Sequence, residues 1–430
     1  MTYGFKEDFL QWVWQFKYFD LTDLRTTDGE PITIVAVGEK HAHSGPDFAN
    51  AKIKIGETLW AGSVEVHLSS ADWRLHRHDR DTSYDNVVLH VVWRDDLAPT
   101  RTNETAIACL TLEQRVAPEL IQKYSRLVTA IEPIACARLL PEVQNMVREA
   151  WLARLTVERL AHKTNYLQQQ SALQDGQIEE AFYQSLARSF GMQINAQPFE
   201  QLAASLPMSI LAKNKHNRLS IEALLFGQAG FLEQNYTDDY PQQLRKEYRF
   251  LQKKYQLTPI NGDSWKFLRL RPANFPTIRI AQFSDLVFRS LHLFSKIIAT
   301  TELKAVYNLL YCEVQNPYWH SHYVFDKPSV VVREKHLGKT MQQLILVNTV
   351  VPFVFLYGSL RNEERLCDLA LRWFEALPAE KNAVLEHWAA ANIIPQNAAQ
   401  AQALMHLFQN YCAPRRCLSC SIGNSIMKIK

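Results

Sequence analysis

The sequence lacks a hydrophobic run long enough to cross a lipid bilayer. Its longest apolar stretch, residues 344–356, is well short of the roughly 20 residues that a transmembrane helix needs, and Pro352 interrupts it. The start of the chain also lacks a signal peptide, because Lys6, Glu7 and Asp8 precede any apolar run. We therefore expect a cytoplasmic protein without a membrane partner.

The chain has little net charge and few cysteines. A formal net charge of +3 over 430 residues does not by itself predict nucleic-acid binding. The first 100 residues, however, contain 10 Lys and Arg, 16 Asp and Glu and six of the 14 His, which suits cations, whereas the more basic remainder suits a polyanion. The alternative interpretation of this uneven charge distribution is ordinary variation along the protein surface. Seven cysteines, an odd number in a chain without a signal peptide, favour reduced thiols over a disulfide framework.

The spacing of apolar residues changes near residue 130, which predicts two domains. Before this point, an amphipathic first helix is followed by apolar runs typical of strands, at residues 32–37, 51–55, 59–67 and 86–93. After it, helical spacing dominates, for example over residues 178–190 and 378–391. We predict an α/β domain at residues 1–128, with a mixed sheet of four or more strands, and a mainly α-helical domain at residues 129–430 that ends in a cysteine-rich tail.

Two short runs in the predicted sheet domain form a candidate metal site. Asp47 follows Pro46 where a strand begins, and Glu65 and His67 lie two residues apart on the next strand, so both point to one face. Phosphodiester hydrolysis needs charge neutralisation and a hydroxide at neutral pH, which Mg²⁺ or Mn²⁺ held by two carboxylates supplies. We predict Asp47 and Glu65 as metal ligands and His67 as a general base or water-orienting group. The alternative is an ordinary turn beside a solvent-facing strand.

A second group of ligand types follows within a few residues. Asp72, Asp79 and Asp81 surround His76 and His78, and a His-x-His pair with flanking carboxylates can bind Zn²⁺, Mn²⁺ or Fe²⁺. If the carboxylate site forms, the two histidines are candidate additional residues that contact a phosphate or complete a mixed nitrogen and oxygen site. A solvated loop without a metal is the alternative.

A basic and aromatic segment in the predicted helical domain is a candidate nucleic-acid contact. Guanidinium forks suit phosphate oxygens, and the neighbouring aromatic rings offer stacking surfaces to unpaired bases. We predict four substrate-binding residues there, Arg269, Arg271, Asn274 and Arg279. The alternative is a rigid loop whose arginines pair with carboxylates of a neighbouring domain.

The tail contains Cys412, Cys417 and Cys420, the strongest metal signal outside the first domain. Two thiolates three residues apart hold one tetrahedral ion from a turn, and a third leaves one ligand to be found. The candidates for the fourth ligand are Cys136, Cys109, Cys312 and Cys367, and we favour Cys136 because it lies near the predicted domain junction. The spacing fits zinc and an iron–sulfur cluster, and reduced thiols without an ion are the alternative.

Longer motifs resemble a bacterial family of unknown function. They are GPDFANA at residues 45–51, GSVEVH at 62–67, YDNVVLHVV at 84–92, RLRPANFP at 269–276 and the cysteine run at 411–423. This resemblance covers essentially the whole chain and implies no established activity.

The first domain is also loosely similar to the PD-(D/E)xK nucleases, with His67 in the place of the usual Lys. This resemblance implies a metal-dependent nuclease acting on DNA or RNA. Some nucleases of that superfamily also carry a four-cysteine cluster with one early and three late cysteines, which this chain resembles in outline. The alternatives are a nucleic-acid-binding or assembly protein without hydrolysis, and a metal-dependent hydrolase of a small substrate.

Overall fold

The computed structural model divides the chain into two compact units. The sheet unit comprises Met1–Trp151, Glu386–Ile393 and Met405–Lys430, and the helical unit comprises Leu152–Leu385 and Ile394–Leu404. The structure describes residues 4–41, 44–170, 178–290 and 292–428. The cysteine-rich tail, which the sequence assigns to the helical domain, therefore lies in the same unit as the sheet.

A mixed six-stranded sheet forms the centre of the sheet unit. Its strands are β1 (Ile32–Ala36), β2 (Glu39–Lys40), β3 (Phe48–Ile55), β4 (Thr58–Ser69), β5 (Val87–Arg94) and β6 (Cys109–Thr111). The order is β1-β3-β4-β5-β6, and β2 pairs with β3 outside this path. Strands β1, β2 and β4 run antiparallel to β3, whereas β4 and β5, and β5 and β6, are parallel. The predicted mixed sheet of four or more strands is confirmed.

Helices make up most of the remaining structure. Their bounds are α1 (Glu7–Phe16), α2 (Asp72–Leu75), α3 (Pro118–Thr129), α4 (Asn145–Gln170), α5 (Ile178–Phe190), α6 (Ala196–Ser205), α7 (Met208–Lys213), α8 (Arg218–Gln228), α9 (Asp239–Tyr255), α10 (Pro276–Arg289), α11 (Leu293–Ile298), α12 (Leu303–Leu310), α13 (Tyr318–Ser321), α14 (Lys339–Ile345), α15 (Val351–Arg361), α16 (Glu364–Ala376), α17 (Ala383–Ala390), α18 (Ala398–Leu407) and α19 (Ser421–Lys428). Short 3₁₀ turns lie between the helices and strands, among them His78–Arg80, Thr82–Tyr84, Ala137–Glu142 and Cys417–Ser419. The predicted change from sheet to helices is confirmed.

The buried face of α1 packs on the two central strands of the sheet. Glu7 and Asp8 lie in its first turn, where carboxylates interact favourably with the helix dipole. Phe9, Trp12 and Val13 are buried, and the helix contacts β4 and β5. Strand β5 is buried from its first residue to its seventh, which is typical of a strand that parallel neighbours and helices cover on both faces.

The helical unit is built around a core of aromatic and aliphatic side chains. Phe190, Phe199 and Phe283 are fully buried, and the ring of Phe283 contacts the rings of the other two. Among the described residues, this unit contains one short hairpin, β7 (His322–Val324) and β8 (Lys327–Pro328). The sequence does not predict it, because strands of three and two residues are too short to show an alternating pattern.

The helical unit contains one helix that is long and apolar enough to cross a membrane by length and composition. It runs from Lys339 to Arg361 over 23 residues, and most of its apolar window is buried inside the fold, as in an ordinary core helix. A π-helical turn at Leu346–Val350 precedes Pro352, which has no N–H to donate to the carbonyl of Asn348. The helix extends beyond the apolar stretch at residues 344–356 because more polar residues continue it at both ends.

Candidate metal and catalytic site

Asp47 and Glu65 meet where the start of β3 faces the middle of β4. The main-chain N–H of Asp47 donates to Oε2 of Glu65 at 2.9 Å, and the N–H of Val66 donates to Oδ2 of Asp47 at 3.1 Å. Gly45, two residues earlier, has a φ of +112°, a conformation that glycine adopts at little cost. The Gly-Pro-Asp turn therefore directs the Asp47 carboxylate onto the neighbouring strand.

Helix α1 adds a third carboxyl group to this pair. Nε2 of Gln11 donates to Oδ1 of Asp47 at 2.8 Å and to Oε1 of Glu7 at 3.3 Å. The sequence analysis missed both α1 residues as site residues. The available signal was a pair of polar side chains four residues apart on a helix whose other face is apolar.

Burial and mutual repulsion disfavour the charged forms of these carboxyl groups. Glu65 is only 4% exposed, and burial followed by the charge of Asp47 raises its pKa to about 9. Burial, with smaller contributions from Asp47 and Asp72, raises the pKa of Glu7 to about 7. Burial also raises the pKa of Asp47. A cation bound among these groups would stabilise their charged forms.

Two histidines lie next to the remaining oxygen of Glu65, and a third lies beside one of them. Nε2 of His67 lies 3.4 Å from Oε1 of Glu65, and Nε2 of His78 lies 3.5 Å from the same atom. Nδ1 of His76 is 3.1 Å from Nε2 of His67. One nitrogen from each of the three rings lies within 4.8 Å of the other two, a spacing that one ion can bridge. The structure thus brings Asp47, Glu65 and His67 together and adds both candidate histidines.

His90 on β5 lies directly behind this group. Its Nε2 is 2.9 Å from Nδ1 of His67, and the parallel register of β4 and β5 pairs His90 with Glu65. Among the described residues, Nδ1 of His90 has no hydrogen-bond partner. The hydrogen bond between Nε2 of His90 and Nδ1 of His67 orients the His67 ring. The sequence analysis assigned His90 no role, although a single His inside a strongly apolar strand was the available signal.

Aromatic side chains hold the ring of His78. Tyr84 stacks on it with ring centroids 3.7 Å apart, and Trp73 contacts its edge at 5.3 Å. Nε1 of Trp73 donates to the main-chain oxygen of Thr100 at 2.8 Å, which fixes the indole. The polar loop after β4 is therefore an ordered wall of the site.

Burial favours the neutral form of three imidazoles, those of His67, His78 and His90, because it lowers their pKa values. It lowers the pKa of His67 to about 2, with His90 and His76 adding to the shift, and it lowers the pKa of His90 to about 3. Burial followed by His76 lowers the pKa of His78 to about 4. Neutral imidazole is the form that binds metal ions, so this set of donors fits a cation.

The ligand types indicate which cations fit. Imidazole nitrogen suits Zn²⁺ and Fe²⁺, and carboxylate oxygen suits Mn²⁺ and Mg²⁺. Two imidazole nitrogens beside one carboxylate oxygen, with a third imidazole next to them, form a mixed set that would suit Mn²⁺, Fe²⁺ or Zn²⁺ better than Mg²⁺, because Mg²⁺ prefers oxygen ligands. Of the two metals predicted from the sequence, manganese accepts nitrogen ligands more readily than magnesium does.

Comparison with known proteins gives one match. The family model described as "Protein of unknown function (DUF2851)" matches residues 7–383. The chain belongs to this family. The matched range includes α1 and the whole sheet, and therefore every residue of the carboxylate and histidine group. The searches of curated proteins and of solved structures gave no match.

A groove of about 1230 Å³ lies in the sheet unit of this DUF2851 member. Exposed basic side chains line it, those of Lys6, Lys40 and Arg416. Lys40 also interacts with the carboxylate of Asp47, and its charge partly offsets the rise in the Asp47 pKa that burial causes. Asp72, whose charge raises the pKa of Glu7, lines the same groove. Two residues that line the groove, Lys40 and Asp72, therefore interact electrostatically with carboxyl groups of the site.

The predicted substrate-binding residues of the DUF2851 chain lie in the helical unit. Arg269 and Arg271 are exposed, as the prediction requires. Arg279 is buried in α10, where its guanidinium donates to Asn274 Oδ1 at 2.7 Å and to Gln282 Oε1 at 2.9 Å. Burial lowers the pKa of Arg279 to about 10. Asn274 and Arg279 are thus hydrogen-bonded to each other and hold the loop. Arg269 and Arg271 remain as the accessible pair among the four predicted substrate-binding residues.

The predicted cysteine ligands of this DUF2851 chain are close to one another in the sheet unit. Cys412, Cys417 and Cys420 are free thiols, and so is Cys136. Burial raises the pKa of the Cys412 thiol, and the neighbouring Cys136, Cys420 and Cys417 raise it further. The candidate fourth cysteine therefore lies next to the other three.

Proposed function

We propose that this protein is a metal-dependent phosphodiesterase that cleaves a nucleic-acid strand at the carboxylate and histidine group of the sheet unit. The observation that carries the proposal is the position of Glu65 Oε1, 3.4 Å from His67 Nε2 and 3.5 Å from His78 Nε2. Asp47 lies beside it on the neighbouring strand. Buried carboxyl groups and neutral imidazoles are both ligand types for a divalent cation.

The order of elements supports the nuclease interpretation. A helix is followed by the antiparallel strands β1, β3 and β4, then by the short helix α2, and finally by β5 parallel to β4. The resemblance to PD-(D/E)xK nucleases rests on this order of helix, strands, short helix and strand, together with the positions of Asp47 and Glu65. The proposal extends that resemblance with nitrogen ligands.

The side chains of the site have distinct roles in this proposal. Glu65, His67, His76 and His78 hold the cation. The main-chain N–H of Asp47 fixes Glu65, and the role of the Asp47 carboxylate as a metal ligand stays a prediction. A bound cation supplies positive charge to a phosphate oxygen and lowers the pKa of a water molecule. His90 orients the ring of His67 from behind.

His67 acts as a ligand rather than as a general base. A general base works best with a pKa near the operating pH, whereas burial lowers the pKa of His67 to about 2. Its two ring nitrogens already face His90 and His76, so neither is directed at open solvent. We therefore propose a role for His67 in holding the ion, and its role as a general base or water-orienting group stays a prediction.

The groove gives the substrate a path to the site. Lys6, Lys40 and Arg416 are exposed along it and can neutralise successive phosphates. Phe16, 40% exposed, lies in the same groove and offers a surface for a base. Arg415 has a different task, because its guanidinium donates to the main-chain oxygens of Ala130 and Glu132.

The test is cleavage of labelled single- and double-stranded DNA and RNA by the full chain after removal of metal and addition of Mn²⁺, Mg²⁺ or Zn²⁺. We expect cleavage with Mn²⁺ that Glu65→Gln abolishes, because glutamine keeps the shape but not the charge. Glu57→Gln is the matched control, since Glu57 is an exposed residue of the same unit.

Two outcomes would replace the proposal with an alternative. Retained strand binding without cleavage under any of these metals would indicate a binding protein that has lost hydrolysis. Hydrolysis of a small phosphodiester such as bis(p-nitrophenyl) phosphate, with no activity on any strand, would indicate a hydrolase of small substrates.

A further inference from the structure

The C-terminal half of α9 has one buried face and one basic face. Leu244, Tyr248 and Leu251 are buried in the core of the helical unit. The opposite face exposes five residues at positions three or four apart, so they form one row along the helix. They are Lys246, Arg249, Phe250, Lys253 and Lys254. We call this row of four cations and one aromatic ring the basic face.

The end of α7 brings two more cations to the basic face. Nδ2 of Asn214 donates to the hydroxyl of Tyr255, the last residue of α9, at 3.1 Å. Nζ of Lys213 lies 6.0 Å from the centroid of the same ring, and Nζ of Lys254 lies 5.1 Å from it. Lys215 is exposed in the turn that follows α7. Cations from two helices therefore converge on one aromatic ring.

Negative charge is scarce in this part of α9. Residues 245–255 contain five basic residues and one acidic residue, Glu247. The Glu247 carboxylate accepts from the hydroxyl of Ser220 on α8 at 2.6 Å. The guanidinium of Arg245 donates to Asn235 and to the main-chain oxygen of Glu233, so this cation has a structural role. The other four cations are those of the basic face.

A favourable interaction with the helix dipole explains only part of this pattern. Cations stabilise the last turn of a helix, which accounts for Lys253 and Lys254. The effect falls off within that turn, so it does not account for Lys246 and Arg249. Nor does it account for Phe250, which is 63% exposed in the row of cations. An exposed ring among cations points to a ligand that has both negative charge and apolar surface.

A single nucleic-acid strand combines these two properties. Its phosphates are negatively charged, and its unpaired bases offer flat faces that stack on aromatic side chains. In a duplex, neighbouring base pairs already cover those faces. A membrane surface fits less well, because an interfacial helix needs a broad exposed apolar face and most apolar side chains of α9 are buried.

We propose that the basic face and the end of α7 form a binding surface for a single nucleic-acid strand. The cations contact successive phosphates, and Phe250 stacks on one base. RNA and DNA share these phosphates and base faces, so both kinds of strand bind similarly. The surface shares no residue with the groove of the sheet unit, and binding to it does not require hydrolysis at the carboxylate and histidine site.

The test is fluorescence anisotropy of short labelled single strands of RNA and DNA with the full chain, in EDTA so that no strand is cleaved. Lys246→Ala with Arg249→Ala and Lys253→Ala removes three charges, and alanine preserves the helix. We expect affinity at low salt to fall at least about tenfold. The slope of log K against log salt should become less steep by about two, since each phosphate contact on a single strand contributes about 0.7.

Two further variants test the stacking contact. Phe250→Ala should weaken binding of single strands at least about fivefold and leave the salt slope unchanged, whereas Phe250→Trp should bind like the unmodified chain. The matched control for charge is Lys296→Ala with Lys304→Ala and Arg372→Ala, which removes three exposed cations from other helices of the same unit. It should bind normally. Circular dichroism checks that each variant remains folded under these conditions.

Four results would overturn the proposal. An equal decrease of affinity in the two triple variants would show that binding follows net charge alone, and no decrease in either would place the strand elsewhere. Tighter binding of a duplex than of a single strand, with Phe250→Ala unchanged, would exclude stacking. Binding to phosphatidylserine vesicles but to neither strand would identify a membrane surface. Because cleavage is not measured, failure of the nuclease proposal is distinguishable from failure of this one.

Discussion

Oε1 of Glu65 lies 3.4 Å from Nε2 of His67, and neither residue is more than 4% exposed. A buried carboxyl group and a buried imidazole on one strand are each costly to charge without a partner. Their proximity therefore makes metal affinity the most direct property to measure.

The charge of Glu65 should determine affinity for Mn²⁺. Glu65→Gln keeps the volume and an acceptor for the Asp47 N–H but removes the anionic ligand. We expect Mn²⁺ affinity to fall at least about tenfold, or about 1.4 kcal/mol, by isothermal titration calorimetry. Glu57→Gln should bind Mn²⁺ normally, and equal affinity in the two variants would contradict the assignment of Glu65 as a ligand.

His90 should affect metal affinity without touching the ion. His90→Leu removes the 2.9 Å hydrogen bond with Nδ1 of His67 and leaves that ring free to turn. Removal of such a supporting bond typically costs about 10- to 100-fold in metal affinity. Calorimetry should show this decrease while circular dichroism remains that of the unmodified chain. Unchanged affinity in a folded variant would show that His67 is oriented by other neighbours.

The basic side chains of the groove should control strand binding. Lys6→Ala with Lys40→Ala should weaken binding of single strands regardless of sequence, and the salt slope should fall by about one for each phosphate that is no longer neutralised. Fluorescence anisotropy over a range of salt concentrations measures both effects. Lys54→Ala is the control, because Lys54 is paired with Glu57 elsewhere on the sheet unit.

The same measurement compares the groove with the segment predicted from the sequence. Arg269→Ala with Arg271→Ala tests the accessible arginines of the helical unit. A larger decrease of binding in this pair than in the lysine pair would move the substrate path from the groove to that segment.

Glu222 should make the stability of the helical unit depend on pH. It is 6% exposed and accepts from the hydroxyl of Tyr240 at 3.0 Å, and burial raises its pKa from 4.5 to about 7. The folded state then binds a proton more tightly than the unfolded state, so the free energy of unfolding falls as pH rises from 4.5 to 7.

Glu222→Gln should remove this dependence. Above about pH 7 the variant should be more stable than the unmodified chain by up to about 3 kcal/mol, and below about pH 4.5 the two should be similar. Urea denaturation at about pH 5 and about pH 8 measures the difference, with the exposed Glu233→Gln as control. A variant less stable than the unmodified chain at the higher pH would show that the charged carboxylate is favourable there.

Local spacing in the sequence determined the main elements, because burial along one helix or strand repeats at a fixed interval. The helix predicted at residues 178–190 is α5, and the strand predicted at residues 59–67 lies within β4. The ends of elements were harder to predict. The helix predicted from Pro378 begins at Ala383, since a proline that fits a first helical turn also fits the loop before it. The placement of Glu65 and His67 on one face likewise followed from strand geometry alone, because side chains two residues apart on a strand point to the same side.

Only the tertiary structure decided which distant groups meet. The parallel register of β4 and β5 sets His90 behind His67, the packing of α1 brings Glu7 and Gln11 to Asp47, and the tail joins the sheet unit beside Cys136. Strand register and the docking of a helix or tail depend on interactions between residues far apart in the chain, and no local period records them. The sequence thus determined which side chains could bind a cation or a cluster, and the fold decided which of them share a site.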